Sequence, residues 1–292
     1  MMASVRPTVD SSVFAPQLDA AIQQGEFELY YQPLIDISNA SIHGVEALIR
    51  WNHPERGPLQ PADFIHVAEE SGSIVPMGSW VLRQACTDFR SMRLAKGDLL
   101  LSVNVSTRQL DEPTFVSDLS DILQETGMPA RLLQLEITES IFLMDSVVVG
   151  ALFEAIRALG VKIAFDDFGT GYSSLSYLER FHVDVLKVDQ YFVQHMSDGH
   201  VSTEIVEWIV RLARIVGTGV SAEGVENREQ AAALLGLGCN IAQGFLYSKP
   251  VPLNEILAML QHVPVEASGQ RKAVHARPDV GWTPGSALYA MS

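Results

Sequence analysis

Acidic side chains end several of the most apolar runs in this chain of 292 residues. Glu136 follows LLQL, Asp166 and Asp167 follow VKIAF, and Glu223 follows GVSA. Carboxylates that end buried strands need a cation, because a ring of like charges would otherwise repel or take up protons. Since the histidines and cysteines lack zinc spacing, an oxygen-only ligand set indicates a hard ion, Mg²⁺ or Mn²⁺ before Ca²⁺.

Other polar residues share this position at the end of an apolar run. The full set is Gln32, Glu46, Asn104, Glu136, Asp166, Asp167, Lys187, Glu223 and Gln243. Successive strand residues face opposite sides, so Asp166 and Asp167 can reach one centre only if the chain bends between them. The glycines of DFGTGYSS permit that bend. One carboxylate bridging two ions, with its neighbour on the second, predicts a two-metal site for in-line displacement at phosphorus.

Each of these residues also has a purely structural interpretation. An acid at a strand end commonly caps the next helix, Lys187 in VLKVD could face outward, and Asn104 in SVNVSTRQL could begin a turn. Such coincidences are independent of one another. Their convergence at one end of the predicted strands therefore favours a functional site.

The elements that must position these residues alternate along the chain. The predicted strands are Phe27–Pro33, Val45–Trp51, Leu99–Val105, Leu133–Thr138, Val161–Asp166, Val183–Asp189, Gly219–Glu223 and Asn240–Phe245. Helical patterns fall near 17–24, 61–71, 77–96, 114–126, 146–159, 200–216, 228–236 and 253–261. Alternation of this kind is typical of parallel βαβ units, and eight strands close a (β/α)8 barrel, whose active site lies at the C-terminal strand ends.

The first two predicted strands break the parallel pattern. Only DISNASIHG separates them, whereas a parallel crossover needs roughly a dozen residues or more. The sequence therefore predicts a TIM-like α/β barrel whose first strand is antiparallel.

Composition limits the partners and the compartment. The formal charge of −15 disfavours binding to DNA or RNA through a broad basic surface. Cys86 and Cys239 are too few for a disulfide framework, which favours the cytoplasm. No run approaches the ~20 apolar residues of a membrane span. We expect a linker over 1–16, the barrel over 17–265 and a disordered tail over 266–292.

Eight ordered motifs resemble the EAL family of cyclic diguanylate (c-di-GMP) phosphodiesterases. They are YYQP (30–33), VEALIRWNHPERG around Glu46, NVS (104–106), LEITES (135–140), FDDFGTGYSSLSYL (165–178), LKVD (186–189), SAEGVEN (221–227) and AQGFLYSKP (242–250). The resemblance covers about residues 18–262. It implies a cytoplasmic enzyme that hydrolyses c-di-GMP to linear pGpG with two Mg²⁺ or Mn²⁺ ions, and so lowers this bacterial second messenger.

The resemblance also implies roles for individual residues. The first metal would be held by Glu46, Asn104, Glu136 and Asp166, and the second by Asp166, Asp167 and Glu223. Lys187 matches the lysine that orients the attacking water, and Glu223 also matches the general base. Substrate contacts would come from Gln32, Leu48, Arg50, Asp189 and Gln243.

A loop over 167–174 resembles the family's loop 6, which couples the metal site to a homodimer interface. Glu139 matches the glutamate that anchors this loop, although a first-turn acid beside a helix dipole is the simpler alternative. The GGDEF cyclase motif and recognisable sensory segments are absent from this sequence. Two interpretations stay open: a stand-alone domain, or part of a longer protein whose sensory or GGDEF domain lies outside this chain.

Two other functions remain open. A c-di-GMP receptor without hydrolysis would be expected to lack metal ligands, and this sequence keeps them. A metal-dependent phosphodiesterase acting on another dinucleotide would need the same barrel and the same ring of acids. Assays on several cyclic dinucleotides would separate the two enzymatic readings.

Overall fold

Ten strands form one sheet in the computed structural model, which describes residues 11–169, 178, 180–196 and 200–261. The strands are β1 Phe27–Asp36, β2 Ser41–His53, β3 Gly57–Leu59, β4 Leu100–Asn104, β5 Leu133–Thr138, β6 Lys162–Phe168, β7 Val185–Val188, β8 Gly219–Ala222, β9 Ile241–Ala242 and β10 Val251–Pro252. All except β3 and β10 close into a barrel in the order β1-β2-β4-β5-β6-β7-β8-β9. The predicted barrel is therefore confirmed.

The first strand runs against the rest, as predicted. β1 pairs antiparallel with β2 in a register that places Gln32 opposite Glu46, and it pairs antiparallel with β9 to close the barrel. From β2 through β9 the remaining barrel pairs are parallel. The turn between β1 and β2 is too short for a crossover helix, which is why the sheet starts as a hairpin.

Helices cover the outside of the barrel. They are α1 Ser11–Gln24, α2 Pro61–Ser71, α3 Ile74–Lys96, α4 Thr107–Leu110, α5 Phe115–Thr126, α6 Ser146–Ala158, α7 Gln190–Gln194, α8 His200–Val216, α9 Arg228–Leu237 and α10 Leu253–Gln261, with 3-10 turns at Ala130–Leu132 and Glu139–Leu143. Several end where a glycine takes a left-handed conformation, as Gly127 does after α5 with a φ of 66°. None of the helices in the described ranges combines the length and apolar character needed to cross a bilayer.

The N-terminal helix differs from the sequence prediction. It begins at Ser11 rather than near residue 17, so 11–16 are helical where a linker was expected. Phe14 is 1% exposed and meets the Trp51 ring edge-on, with centroids 5.0 Å apart. Residues 1–10 of the linker, the tail 266–292 and most of the loop over 167–174 lie outside the described residues, so those domain limits remain predictions.

Truncating Phe14 tests whether α1 belongs to the folded domain. We expect Phe14→Ala to lower the free energy of unfolding by about 3–5 kcal/mol, because the ring would leave a cavity beside Trp51. Leu94→Ala serves as a control, since Leu94 is 84% exposed and its loss should cost less than ~0.5 kcal/mol. Urea titration followed by tryptophan fluorescence measures both, and equal midpoints for Phe14→Ala and the parent would contradict the packing of α1.

Candidate active site

Amide side chains hold Glu46 from two directions. Asn104, at the end of β4, donates through Nδ2 to Glu46 Oε1 at 2.6 Å. Gln243, just after β9, donates through Nε2 to Glu46 Oε2 at 2.6 Å and to Gln32 Oε1 at 2.7 Å. Gln32 in turn donates to the carbonyl of Ser248 at 2.9 Å. Because β1 closes the barrel between β2 and β9, side chains from β1, from β4 and from just after β9 form one hydrogen-bonded group around the Glu46 carboxylate of β2.

Lys187 lies at the centre of the remaining acids. Its ammonium group contacts Glu136 Oε2 at 2.5 Å and Asp166 Oδ1 at 3.0 Å, and it also pairs with Glu223 Oε1. The side chain is 1% exposed, so the outward-facing alternative for Lys187 is excluded. Strands β5, β6 and β7, with the residue that follows β8, thus bring one cation and three carboxylates to the same end of the barrel.

Three carboxylates form a cluster suited to a metal ion. Glu46, Glu136 and Glu223 each offer an oxygen, and these oxygens lie within 4.8 Å of one another. All the donors are hard oxygens, which matches the preference of Mg²⁺ and Mn²⁺. Asp166 joins the cluster through Lys187, and Asn104 joins it through Glu46.

The acids perturb one another. Burial raises the pKa of Glu136 to about 8, although Lys187 pulls it down. Burial likewise raises the pKa of Glu223, with the charge of Lys187 opposing and that of Asp166 adding to the shift. Burial alone would lower the pKa of Lys187, but Glu136, Glu223 and Asp166 together raise it well above its ordinary value. Strongly perturbed pKa values of this kind cluster at functional sites.

A backbone bend separates Asp166 from Asp167, as the sequence predicts. Asp167 has a φ of 53°, and the register between β6 and β7 shifts over 165–168. The Asp167 amide donates to Asp166 Oδ1 at 3.1 Å. Burial first, then the charge of Asp166 and a hydrogen bond with Asp189, raise the pKa of Asp167 to about 7. The two carboxylates consequently have different neighbours.

The predicted substrate contacts surround this cluster. Arg50 is 8% exposed, lies 5.3 Å from the centre of the Tyr30 ring and donates to the Ile49 carbonyl at 2.8 Å. Burial lowers the pKa of Arg50 while Tyr30 and Glu46 oppose the shift. Leu48 lines a cavity of about 340 Å³ whose wall also includes Asn104 and Glu136.

Two further acids act on the backbone. Glu139 opens the 3-10 turn at Glu139–Leu143, and its Oε1 accepts from the Gly169 amide at 2.9 Å. This bond reaches the first residues of the predicted loop over 167–174, of which 170–174 lie outside the described residues. Asp189 caps α7, because its carboxylate accepts from the Tyr191 amide at 2.8 Å. This acid therefore has the structural role of a helix cap, whether or not it also contacts substrate.

Comparison with known proteins identifies the family. The family model for the EAL domain matches residues 15–250, which is most of the chain. The chain belongs to the EAL domain family. The fold is shared with the solved EAL domains that it resembles.

Individual relatives agree with this assignment. The cyclic di-GMP phosphodiesterase NbdA of Pseudomonas aeruginosa is 40% identical over 238 residues, 81% of this chain and 30% of that protein. The MucR phosphodiesterase of P. aeruginosa, solved with c-di-GMP, is 37% identical with a TM-score of 0.79, covering 82% of this chain and 98% of that one. A manganese and c-di-GMP complex of Klebsiella pneumoniae BlrP1 is 29% identical with a TM-score of 0.69, covering 78% of this chain and 56% of that one. The chain spans about a third of the length of the curated relatives that it matches.

Some residues of this EAL site were missed by the sequence analysis. Tyr30 lies beneath Arg50, and the Ser248 carbonyl anchors Gln32. Gln134 and Ser102 form a buried hydrogen bond below Glu136. Strand alternation could have found Gln134, because it lies two residues before Glu136 on the same face of β5.

Removing the central cation tests the electrostatics of this EAL site. In EDTA, we expect Lys187→Met to lower stability by about 3–5 kcal/mol near pH 8, because it leaves buried carboxylates unpaired. The loss of stability should be smaller near pH 6. In the folded state the pKa values of Glu136 and Asp167 are raised to about 8 and about 7, so both acids are mostly protonated and neutral at pH 6. Neutral acids no longer need the charge of Lys187 as a partner. Thermal melts at both pH values measure the difference.

The surface variant Lys249→Met controls for the loss of one positive charge. Lys249 is exposed, so its removal should change stability little at either pH. A Lys187→Met loss that does not depend on pH would contradict this account of the cluster.

Proposed function

We propose that this chain hydrolyses one phosphodiester bond of c-di-GMP to give linear pGpG. The observation that carries the proposal is the cluster of Glu46, Glu136 and Glu223 around Lys187, at the end of the barrel where TIM-barrel enzymes have their active sites. NbdA and MucR, each aligned with more than 80% of this chain, are named as c-di-GMP phosphodiesterases or were solved with c-di-GMP, which supports the choice of substrate.

We assign the cofactor as two Mg²⁺ or Mn²⁺ ions. Glu46, Asn104, Glu136 and Asp166 would hold the first, and Asp166, Asp167 and Glu223 the second. The described donors fit such ions because they are all oxygens. Burial first, and then the charges of the neighbouring carboxylates, raise the pKa of Glu136 and of Glu223 against the opposing charge of Lys187. When bound, the ions would supply charge neutralisation at the phosphodiester and a lowered pKa for water.

The reaction forms one bond to phosphorus and breaks another. The oxygen of water attacks the phosphorus in line, and the bond from phosphorus to the ribose 3′ oxygen breaks. The 3′ oxygen leaves with the electron pair and takes up a proton from solvent to become a hydroxyl group, so the product keeps a 5′ phosphate. Glu223 accepts the proton from the water, and Lys187, paired with it, fixes the direction of its carboxylate. Because Lys187 also holds Glu136 and Asp166, one side chain aligns the base with two proposed metal ligands.

Substrate binding is assigned to the rim of the cluster. Arg50 presents a planar guanidinium group, suited to a phosphate oxygen, and its ring neighbour Tyr30 keeps it in place. Leu48 and the cavity of about 340 Å³ provide an apolar wall for a planar base beside Asn104. Gln32, Gln243 and Asp189 complete the proposed contacts.

We also propose that the protein forms a homodimer through α8. Val201, Trp208 and Ile215 recur every seven residues along this helix and are 69%, 45% and 73% exposed. A stripe of large apolar side chains on one helix face is typical of an interface. The Gly169 amide, which Glu139 binds two residues after Asp167, would connect such an interface to the carboxylate cluster.

A cytoplasmic location is part of the same proposal. Cys86 and Cys239 are both buried, free thiols, which suits a reducing compartment. Sensory or GGDEF domains outside this chain would supply regulation, as the greater length of the matched relatives suggests.

Turnover of c-di-GMP tests the proposed activity. We expect anion-exchange chromatography to show conversion to pGpG with Mg²⁺ or Mn²⁺ and none with EDTA. Glu46→Ala and Asp166→Asn should each reduce the rate by more than about 100-fold. Losing a residue that only hydrogen-bonds to a metal ligand typically costs about 10–100-fold in activity, and losing the ligand itself should cost more. Asp121→Asn, which changes an exposed acid on α5, should keep the parent rate.

The same assay, run beside equilibrium dialysis that measures c-di-GMP binding, separates the alternatives. Binding of c-di-GMP without conversion would favour the receptor, and faster cleavage of another cyclic dinucleotide would favour a different phosphodiesterase. If the protein neither binds c-di-GMP nor converts it, the proposed function is overturned.

The dimer proposal has its own test. We expect the parent to elute as a dimer in size-exclusion chromatography with light scattering, and Trp208→Glu to shift it to monomer, because a charge would be buried at the apolar interface. Leu94→Glu places the same charge on an exposed leucine of α3 and should leave the mass unchanged. A monomeric parent would overturn the interface.

A further inference from the structure

Below the carboxylate cluster the barrel interior holds a second polar layer. Ser102 on β4 is paired in register with Gln134 on β5, and Asn104 with Glu136 follows two residues later. Since parallel strands carry both pairs toward the same end, Gln134 lies one layer deeper than Glu136. Ser102 and Gln134 are 0% and 3% exposed. Bulk water therefore does not compete for their hydrogen bonds.

The Gln134 amide is oriented by its two acceptors. Nε2 donates to Ser102 Oγ at 3.0 Å and lies 3.4 Å from Glu136 Oε1. With Glu136 ionised, as a metal ligand must be, the reversed amide would turn its carbonyl oxygen toward the carboxylate, so that two acceptors would face each other. Gln134 Oε1 has no hydrogen-bond partner in the described part of the chain. Leaving a buried carbonyl without a partner costs free energy. Such an orientation therefore needs an explanation, and the hydrogen bond from Nε2 to the carboxylate supplies one.

We infer that Gln134 is a positioning residue that fixes Glu136 for cation binding, with Ser102 holding the amide. This inference rests on the proposed function, because it takes Glu136 as a metal ligand. Lys187 fixes Oε2 and Gln134 fixes Oε1, so both carboxylate oxygens are restrained. Each oxygen keeps a further lone pair that can face a cation. Such outer partners orient a ligand without carrying charge, and their loss typically weakens metal affinity by about 10–100-fold.

Metal affinity, measured apart from turnover, is the decisive readout. We expect Gln134→Met, which keeps the length of the side chain and removes its donors, to weaken Mn²⁺ binding by about 10–100-fold in an electron paramagnetic resonance titration. At saturating Mn²⁺ the KM for c-di-GMP should stay at the parent value, because Gln134 lies beneath the site. Ser102→Ala should weaken binding less, since the amide remains.

Coupling of the two residues gives a second measurement. The double variant Ser102→Ala with Gln134→Met should bind Mn²⁺ no more weakly than Gln134→Met alone, because the serine acts only through the amide. Tyr31→Phe is the matched control for stability. It removes the partly buried hydrogen bond of 2.6 Å from Tyr31 to Asp88, and should lower the melting temperature while leaving Mn²⁺ affinity unchanged.

The outcomes distinguish this inference from the proposed function. If the parent binds Mn²⁺ and both Gln134→Met and Ser102→Ala bind it equally well, the positioning role is wrong and the proposed function stands. If the parent binds no Mn²⁺, the proposed function fails. Should Gln134→Met not fold, Ser102→Ala decides: unchanged Mn²⁺ affinity in that variant overturns the inference.

Discussion

The burial of one ammonium group among several carboxylates is the constraint on which the rest of this structure depends. Lys187 contacts Glu136, Asp166 and Glu223 while almost fully shielded from water. Such a pairing is stable only if the partners are held in place, since a displaced charge would be left unpaired in a medium of low dielectric. The barrel meets this requirement, because three adjacent parallel strands carry Glu136, Asp166 and Lys187, and Glu223 directly follows the fourth.

The reversed first strand solves a related problem at Glu46. This carboxylate lies on β2, away from Lys187 in the strand order, and it is restrained by amides instead of by a cation. Because β1 is antiparallel, it places Gln32 opposite Glu46 and beside Gln243, which follows β9. The hairpin that departs from regular βα alternation is therefore the element that closes the hydrogen-bond chain around the acid.

Much of this arrangement could be predicted from the sequence, and the exceptions have physical reasons. The alternation of strand and helix patterns, together with the count of eight strands, predicted the barrel. The short connection between the first two strands predicted that β1 is antiparallel. Helix α1 was missed over 11–16 because Pro16 and two serines resemble a linker, whereas tertiary packing of Phe14 fixes the helix. The predicted last strand extended to Phe245, but the chain pairs only at Ile241–Ala242, so Gln243 stands just beyond the ladder. The roles assigned to individual ligands stay predictions, because they depend on bound ions.

The division of labour between charged and neutral partners explains how such a site can remain available to cations. Four carboxylates, Glu46, Glu136, Asp166 and Glu223, face a single ammonium group, so full ionisation leaves a formal excess of negative charge. Additional lysines or arginines would stabilise the acids but would also cancel the charge that attracts a divalent ion. Asn104, Gln243 and Gln134 donate hydrogen bonds without changing that charge. Amides can therefore orient the carboxylates while the negative charge that attracts a divalent cation persists.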